Sequence, residues 1–276
     1  MRESEVMGNY HASFGERDGE TRPMRVEKVR AVPTLLSPLL ALIARHGMDE
    51  AITRVHPQAR VIAYADDCVV LHEDRRVLEQ CQQLLRLWLA EIGLTFHETK
   101  SHLCHTLAGE APGFAFLGFH LRQYRVGKHQ SGTHPGGQRL GYKTLIKPAK
   151  ANIQEHLAEL GRSLRRSRAL PQGEVIRQLN PVIRGWAPYY RIGVSKAVYA
   201  RLDALTWAKR RSWARRRHPT KTTPWVIQRY WHRLGTRLTF ATSATAPHAG
   251  HLHTPSEVSI TRHSKVRGTR SPYDGD

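Results

Sequence analysis

An α+β fold is what this sequence predicts, and three observations predict it. Two short apolar runs, Val61-Ile62-Ala63 and Cys68-Val69-Val70-Leu71, flank Tyr64-Ala65-Asp66-Asp67 and read as the two strands of a hairpin. A segment of helical period and further alternating stretches follow this hairpin, the pattern of a helix packed on antiparallel strands. From about residue 143 to about residue 240 the apolar spacing is helical, so an α-helical region follows the α+β part.

The hairpin is the segment with the most chemistry. Neighbouring side chains on a strand point to opposite faces, so two adjacent acids that act together belong where the backbone turns. Asp66 and Asp67 stand at that bend. Hard cations such as Mg²⁺ bind through one or two carboxylates together with phosphate oxygens, and this pair offers such donors. An exposed Asp-Asp turn is the plain alternative, and the strands on both sides weigh against it.

After the hairpin, Asp74 caps a helix whose apolar residues recur at Val77, Cys81, Leu84, Leu85, Trp88, Leu89 and Ile92, with Gly93 ending it. Residues 95–105 and 114–121 alternate as strands, joined by a loop over 108–113. Residues 125–142, with Gly127, Gly132, Gly136, Gly137 and Gly141, read as a flexible connection. His129 and His134 within it are loop residues rather than metal ligands, since no cysteine or second pair accompanies them.

Beyond this connection, Pro148 opens a helix with Ile153, Leu157, Leu160 and Leu164 on one face and Arg162, Arg165, Arg166 and Arg168 crowding its end. A second helix is predicted from about Gly173 to Asn180, and Pro181 opens a third containing Ile183 and Trp186. Ser195 caps a fourth with Val198, Leu202 and Leu205 inward. It ends in Lys209-Arg210-Arg211 and Arg215-Arg216-Arg217, a density of charge that repels itself unless an anion is present.

Charge is divided unevenly along the chain. Residues 1–142 hold 17 Lys+Arg against 16 Asp+Glu, a net of +1, whereas residues 143–240 hold 22 against 4, a net of +18. Interleaved with Trp186, Tyr189, Tyr190, Trp207, Trp213, Trp225, Tyr230 and Trp231, this block suits a polyanion whose phosphates pair with cations and whose bases stack on rings. A solvated basic face over an aromatic core is the plainer reading for most of those rings, and a basic membrane-surface helix is the minor competitor for the block.

These residues resemble a known family. Tyr64-Ala65-Asp66-Asp67 in an apolar hairpin is similar to the palm signature of reverse transcriptases. Ser37-Pro38-Leu39-Leu40-Ala41, His46-Gly47-Met48-Asp49-Glu50, Gly93-Leu94-Thr95 with Lys100, and Phe116-Leu117-Gly118-Phe119 resemble neighbouring palm segments of group II intron proteins. Leu179-Asn180-Pro181-Val182-Ile183-Arg184-Gly185-Trp186, with Tyr189-Tyr190 and Ser195-Lys196, resembles the maturase region called domain X. The resemblance runs in order over roughly residues 35–235 and is to group II intron reverse transcriptase/maturases.

That resemblance implies a partial palm over residues 31–124, the connection at 125–142, a helical thumb and maturase region over 143–240, and a polar tail at 241–276 in place of a nuclease domain, with residues 1–30 unassigned and disordered. It implies RNA-directed DNA synthesis at Asp66 and Asp67 with Mg²⁺, assisted by Lys100, or an RNA-binding maturase that assists splicing without polymerising. Intron RNA and a DNA target or primer are the implied partners. Candidate nucleic-acid contacts are Lys147, Lys150, Arg162, Arg165, Arg166, Arg184, Arg191, Lys196, Arg210, Arg211, Arg215 and Arg216. The family's third palm aspartate and its fingers find no match, and Val32-Pro33-Thr34-Leu35-Leu36 stands where a Pro-Gln-Gly-Gly-like stretch belongs. The polymerase half therefore reads as incomplete, with a second polypeptide as one source of the missing parts.

Composition agrees with a soluble nucleic-acid-handling protein: 40% hydrophobic residues is within the globular range. No run of about 18 uncharged apolar residues predicts a membrane span. The start carries no apolar leader, so a cytoplasmic location is expected. Cys68, Cys81 and Cys104 form neither a zinc pattern nor a disulfide framework.

Overall fold

The computed structural model describes residues 5–7, 43, 46–64, 67–95, 101–127, 129–133, 137–242 and 250–261. The chain divides into two compact units, residues 1–145 and 146–276.

In the first unit a four-stranded antiparallel sheet has the order β2-β3-β1-β4. The strands are β1 (Glu5–Met7), β2 (Arg60–Tyr64), β3 (Asp67–His72) and β4 (Leu103–His105). β3 lies between β2 and β1, and its Cys68, Val69 and Val70 are all buried. A strand covered on both faces reads as a continuous apolar run, which is why Cys68-Val69-Val70 does not alternate. On one face Cys68 and Val70 pack with Met48 and Ile52 of α1 (Met48–Val55) and with Leu78, Cys81 and Leu85 of α2 (Arg75–Glu91). On the other, Val69 meets Phe114, with Leu71, Phe116 and Leu121 beside it.

Helix α2 begins and ends where its sequence signals place it. The Asp74 carboxylate accepts the Arg76 N–H at 2.8 Å, satisfying one of the otherwise orphaned first-turn donors. Gly93 follows the last turn at φ +74°, a conformation that L side chains rarely adopt. Residues 5–7, unassigned by sequence, form β1. The described residues of the Gly-rich 125–142 segment, expected as a flexible connection, carry backbone pairing. β6 (Phe119–Arg125) and β7 (Tyr142–Pro148) flank it as neighbours in the sheet β5-β6-β7, where β5 is Phe114–Phe116. Within it Thr133 pairs with Arg139, and the Leu140 N–H donates to the Gly132 carbonyl at 3.0 Å. These hydrogen bonds make it a long hairpin excursion, and the division between units falls after it, inside β7.

The second unit is built from α3 (Lys150–Arg166), α4 (Gln172–Tyr190), α5 (Lys196–Arg217) and α6 (Thr223–Tyr230), then a hairpin of β8 (Trp231–Leu234) and β9 (Arg237–Phe240). One core joins Leu160 and Leu164 of α3, Val175, Ile176, Leu179 and Ile183 of α4, Trp213 of α5, and Tyr230, Trp231 and Phe240. Trp213 and Tyr230 both meet the Phe240 ring, which has no exposed surface, at centroid distances of 5.9 and 6.3 Å.

Four expectations change here. The two helices expected on either side of Pro181 are one, α4, with Pro181 and Pro188 inside it. Leu179 and Ile183, buried at 2% and 3% exposure, hold both sides of Pro181 to the same core and override the local break. Leu205 points outward at 39% exposure, because the buried stripe of α5 is Tyr199, Leu202, Thr206, Arg210 and Trp213. Ser195 precedes α5, yet its hydroxyl donates backward to the Tyr190 carbonyl at 2.6 Å instead of capping the helix. The tail beyond residue 240, expected to be loose, is docked over residues 250–261. Leu252 is in the core, Ser256 donates to the Asp203 carboxylate, and the Asn180 side chain bridges the His251 carbonyl and the His253 N–H at 3.0 and 2.9 Å. Among the described residues no helix is long and apolar enough to cross a membrane.

Candidate catalytic hairpin and nucleic-acid interface

β2 and β3 pair with Tyr64 opposite Asp67, so two residues, Ala65 and Asp66, connect the strands. Asp66 lies outside the described residues, as do Lys100 and the 37–41 segment. Asp67 opens β3 half-buried, and strand alternation puts it on the face of Val69 and Leu71, opposite the face that α1 and α2 cover. Further along that face Val69 and Leu71 are packed by Phe114, Phe116 and Leu121, so Asp67 stands at its strand-opening end. Adjacent carboxylates at a strand opening are the oxygen donors that Mg²⁺ takes together with phosphate and water, so the donor types fit. Among the described residues no further His, Cys, Asp or Glu forms a ligand cluster with Asp67. β1 lies against β3, but its carboxylate-bearing residue, Glu5, pairs with His72 at the end of β3 remote from Asp67.

Among the described residues a cluster of possible ligands lies elsewhere. Donor atoms of His251, His253 and Glu257 lie within 4.8 Å of one another. The Arg184 guanidinium already occupies Nε2 of His253, and Nδ1 lies 3.1 Å from the Glu257 carboxylate. A cation there would face the arginine's charge, so the group reads as a clasp between α4 and the docked tail.

Eleven of the twelve candidate nucleic-acid residues are at least partly solvent-accessible. Lys150, Arg162, Arg165, Arg166, Arg184, Arg191, Lys196, Arg215 and Arg216 are exposed, and Lys147 and Arg211 are half-buried. Arg162 is engaged locally with Glu159 at 2.6 Å, and Arg211 lies over the Trp207 ring at 5.1 Å. The twelfth, Arg210, is a correction. It is 4% exposed, its Nε donates to the Thr206 carbonyl at 3.1 Å, and its guanidinium lies over the Phe240 ring. Burial pushes its pKa down to about 10, opposed by the nearby Asp203 charge, so it remains a cation at neutral pH and serves the fold. The signal was in the sequence: Tyr199, Leu202, Thr206, Arg210 and Trp213 are spaced by three or four residues, the stripe of one helix face.

Most aromatic residues of the basic block are structural. Tyr190, Tyr199, Trp213, Tyr230 and Trp231 are buried, whereas Tyr189 and Trp225 are exposed at 51% and 37%. His156, 5% exposed, stacks on Trp186 at 4.7 Å with an interplanar angle of 17°. Burial lowers its pKa to about 4.

Comparisons with known proteins agree with this two-part geometry. The family model for reverse transcriptase (RNA-dependent DNA polymerase) matches residues 20–121, and that for the group II intron maturase-specific domain matches residues 153–231. The first spans the hairpin, α1, α2 and β4 but not β1, and the second runs from within α3 to the end of α6. No curated protein matches the chain.

Proposed function

Because the chain belongs to the group II intron reverse transcriptase/maturases, we propose that its helical unit grips intron RNA through exposed cations of α3 and α5, with Asp66 and Asp67 as the polymerase carboxylates. The observation that carries this reading is the partition of charge. The net +18 of residues 143–240 coincides with the maturase-specific match, and the cations there are mostly presented to solvent. Phosphate neutralisation by such a surface supplies affinity with little sequence information, so the helical unit would hold and orient folded RNA.

In the polymerase reading, Asp66 and Asp67 would hold Mg²⁺, which supplies polarisation of a primer 3′-hydroxyl and neutralises charge on the departing pyrophosphate. The two carboxylates orient and charge-balance the site. Lys100 would bring a positive or proton-donating group, and the DNA primer or target would meet the hairpin at its Asp66–Asp67 end. A second reading, a maturase that assists splicing without synthesis, is favoured by the absence, among the described residues, of a further carboxylate clustered with Asp67. In that reading the polymerase centre would take a further carboxylate from another polypeptide or would not turn over.

Primer extension on an RNA template with Mg²⁺, with the purified chain alone, separates the two. We expect no extension by the chain, and protein-dependent splicing of a group II intron transcript at low Mg²⁺. Robust synthesis abolished by Asp66→Ala would establish the catalytic reading instead, and failure to stimulate splicing or to bind the transcript would contradict the maturase reading.

A further inference from the structure

A cleft of about 510 Å³ opens between α3 and α5 where their last turns lie side by side. Gly161, Arg165 and Arg168 line one wall, and Lys209, Arg216 and Arg217 line the other. Its volume is within the range of small-ligand sites. Among the described residues no carboxylate lines it.

Helix dipoles account for only part of this charge. Lys209 reaches over Gly161, the Trp213 indole N–H donates to the Ser167 carbonyl at 3.0 Å, and Arg217 donates to the Arg168 carbonyl at 2.7 Å. Contacts that advance together along both helices mean that α3 and α5 run parallel, with their C-termini at the same end. Two such ends carry about one elementary negative charge between them. Five cations surround the cleft, so roughly four positive charges remain without a counter-charge in its walls.

The walls are also shaped. Arg217 is pinned by a second hydrogen bond to the Leu170 carbonyl at 2.7 Å and lies over the Trp213 ring at 4.9 Å, so its guanidinium is preset. Gly161 forms the floor. A Cβ there would stand 3.3 Å from Lys209 Nζ and 3.4 Å from Arg165 Nη1, so two cationic head groups converge over a residue with no side chain. Glycine is a poor helix former, and in the middle of α3 its effect is to leave space. A second cleft of about 480 Å³, with Arg211 and Arg215 in its wall, shares Ser212 and Arg216 with the first and continues the cationic surface past the end of α5.

We infer that the α3–α5 cleft is a shaped seat for backbone phosphates of an RNA strand. The inference rests on the RNA-binding reading above and deepens it, by separating one built contact from the general positive field. Planar guanidinium groups present paired N–H donors that match phosphate oxygens, and Lys209 supplies a compact charge at the floor. Contacts of this kind fix register on a strand and leave its bases unread.

The test measures binding of the full chain to a fluorescently labelled RNA hairpin over a series of salt concentrations. Arg168→Gln with Lys209→Gln is compared with Arg201→Gln with Arg229→Gln, an equal loss of charge at exposed positions outside the cleft. Gly161→Leu fills the floor without changing charge. We expect the cleft pair to weaken binding about tenfold and to flatten the slope of log affinity against log salt by about one to two. The outside pair should weaken binding less than about threefold. Gly161→Leu should weaken binding about fivefold with an unchanged salt slope, and its denaturation midpoint should be kept or raised, because only the far ends of two flexible side chains stand in the way. Equal losses from the two charge pairs, or full affinity in Gly161→Leu, would overturn the seat while leaving RNA binding intact. A wild-type chain that ignored the hairpin at low ionic strength would instead remove the reading on which the seat rests.

Discussion

His156 is buried against Trp186 and is held neutral, with its pKa near 4 against an ordinary value near 6.5. The unfolded chain binds a proton at this site over that interval and the folded chain does not, so stability falls as pH drops from about 6.5 toward 4 and is fully present above 6.5. The site contributes about 3 kcal/mol to that loss. Urea denaturation at pH 7.5 and pH 5 should show a drop in stability that is much smaller in His156→Phe; an equal drop in both proteins would assign the effect to other groups. Arg210 calls for a different measurement. Arg210→Gln removes a buried charge that faces Asp203 and should cost about 3 kcal/mol in denaturation, while RNA affinity measured well below the transition stays within about twofold, since the side chain does not reach solvent. A run of six basic residues within nine positions concealed this role. Charge runs read as solvated faces, and only the helical register of Tyr199, Leu202, Thr206 and Trp213 shows that one member points inward.

Local signals locate single elements well where they act through the backbone, as at Asp74 and Gly93 around α2. They mislead where tertiary packing prevails. Pro181 has no N–H to offer the Arg177 carbonyl, so it interrupts the ladder of α4 while the core keeps the helix whole. Pro181→Ala should therefore raise stability by about 1 to 3 kcal/mol, read as a later urea midpoint at an unchanged slope. An earlier midpoint would show that Ile183 and Trp186 need the local bend to reach their neighbours. The β8–β9 hairpin, missed in the sequence reading, carried a recognisable sign in the two-residue loop Gly235-Thr236, with Gly235 at φ +60°. Docking of residues 250–261 had none, because it depends on Asn180, Asp203 and the Arg191 carbonyl, all distant in sequence.

At the scale of the whole molecule the sequence separates two chemistries, and the structure places them in two units. An acidic hairpin stands on an antiparallel sheet in a unit of nearly balanced charge, and a strongly cationic helical unit follows it. Fold class was legible because hydrophobic period changes from strand-like to helical along the chain. The exact division was not, since Gly-rich composition marked 125–142 as a connection while backbone hydrogen bonds tie its described residues between β6 and β7. The central claim is that the cationic unit grips RNA by its phosphates. Its most direct test is the affinity of the intact chain for a group II intron transcript as a function of salt, beside Arg211→Glu, Arg215→Glu, Arg216→Glu. The account predicts a slope of log affinity against log salt steeper than about −3, flattened by at least about one in the triple variant. No measurable binding at low ionic strength, or an identical slope in the variant, would contradict it.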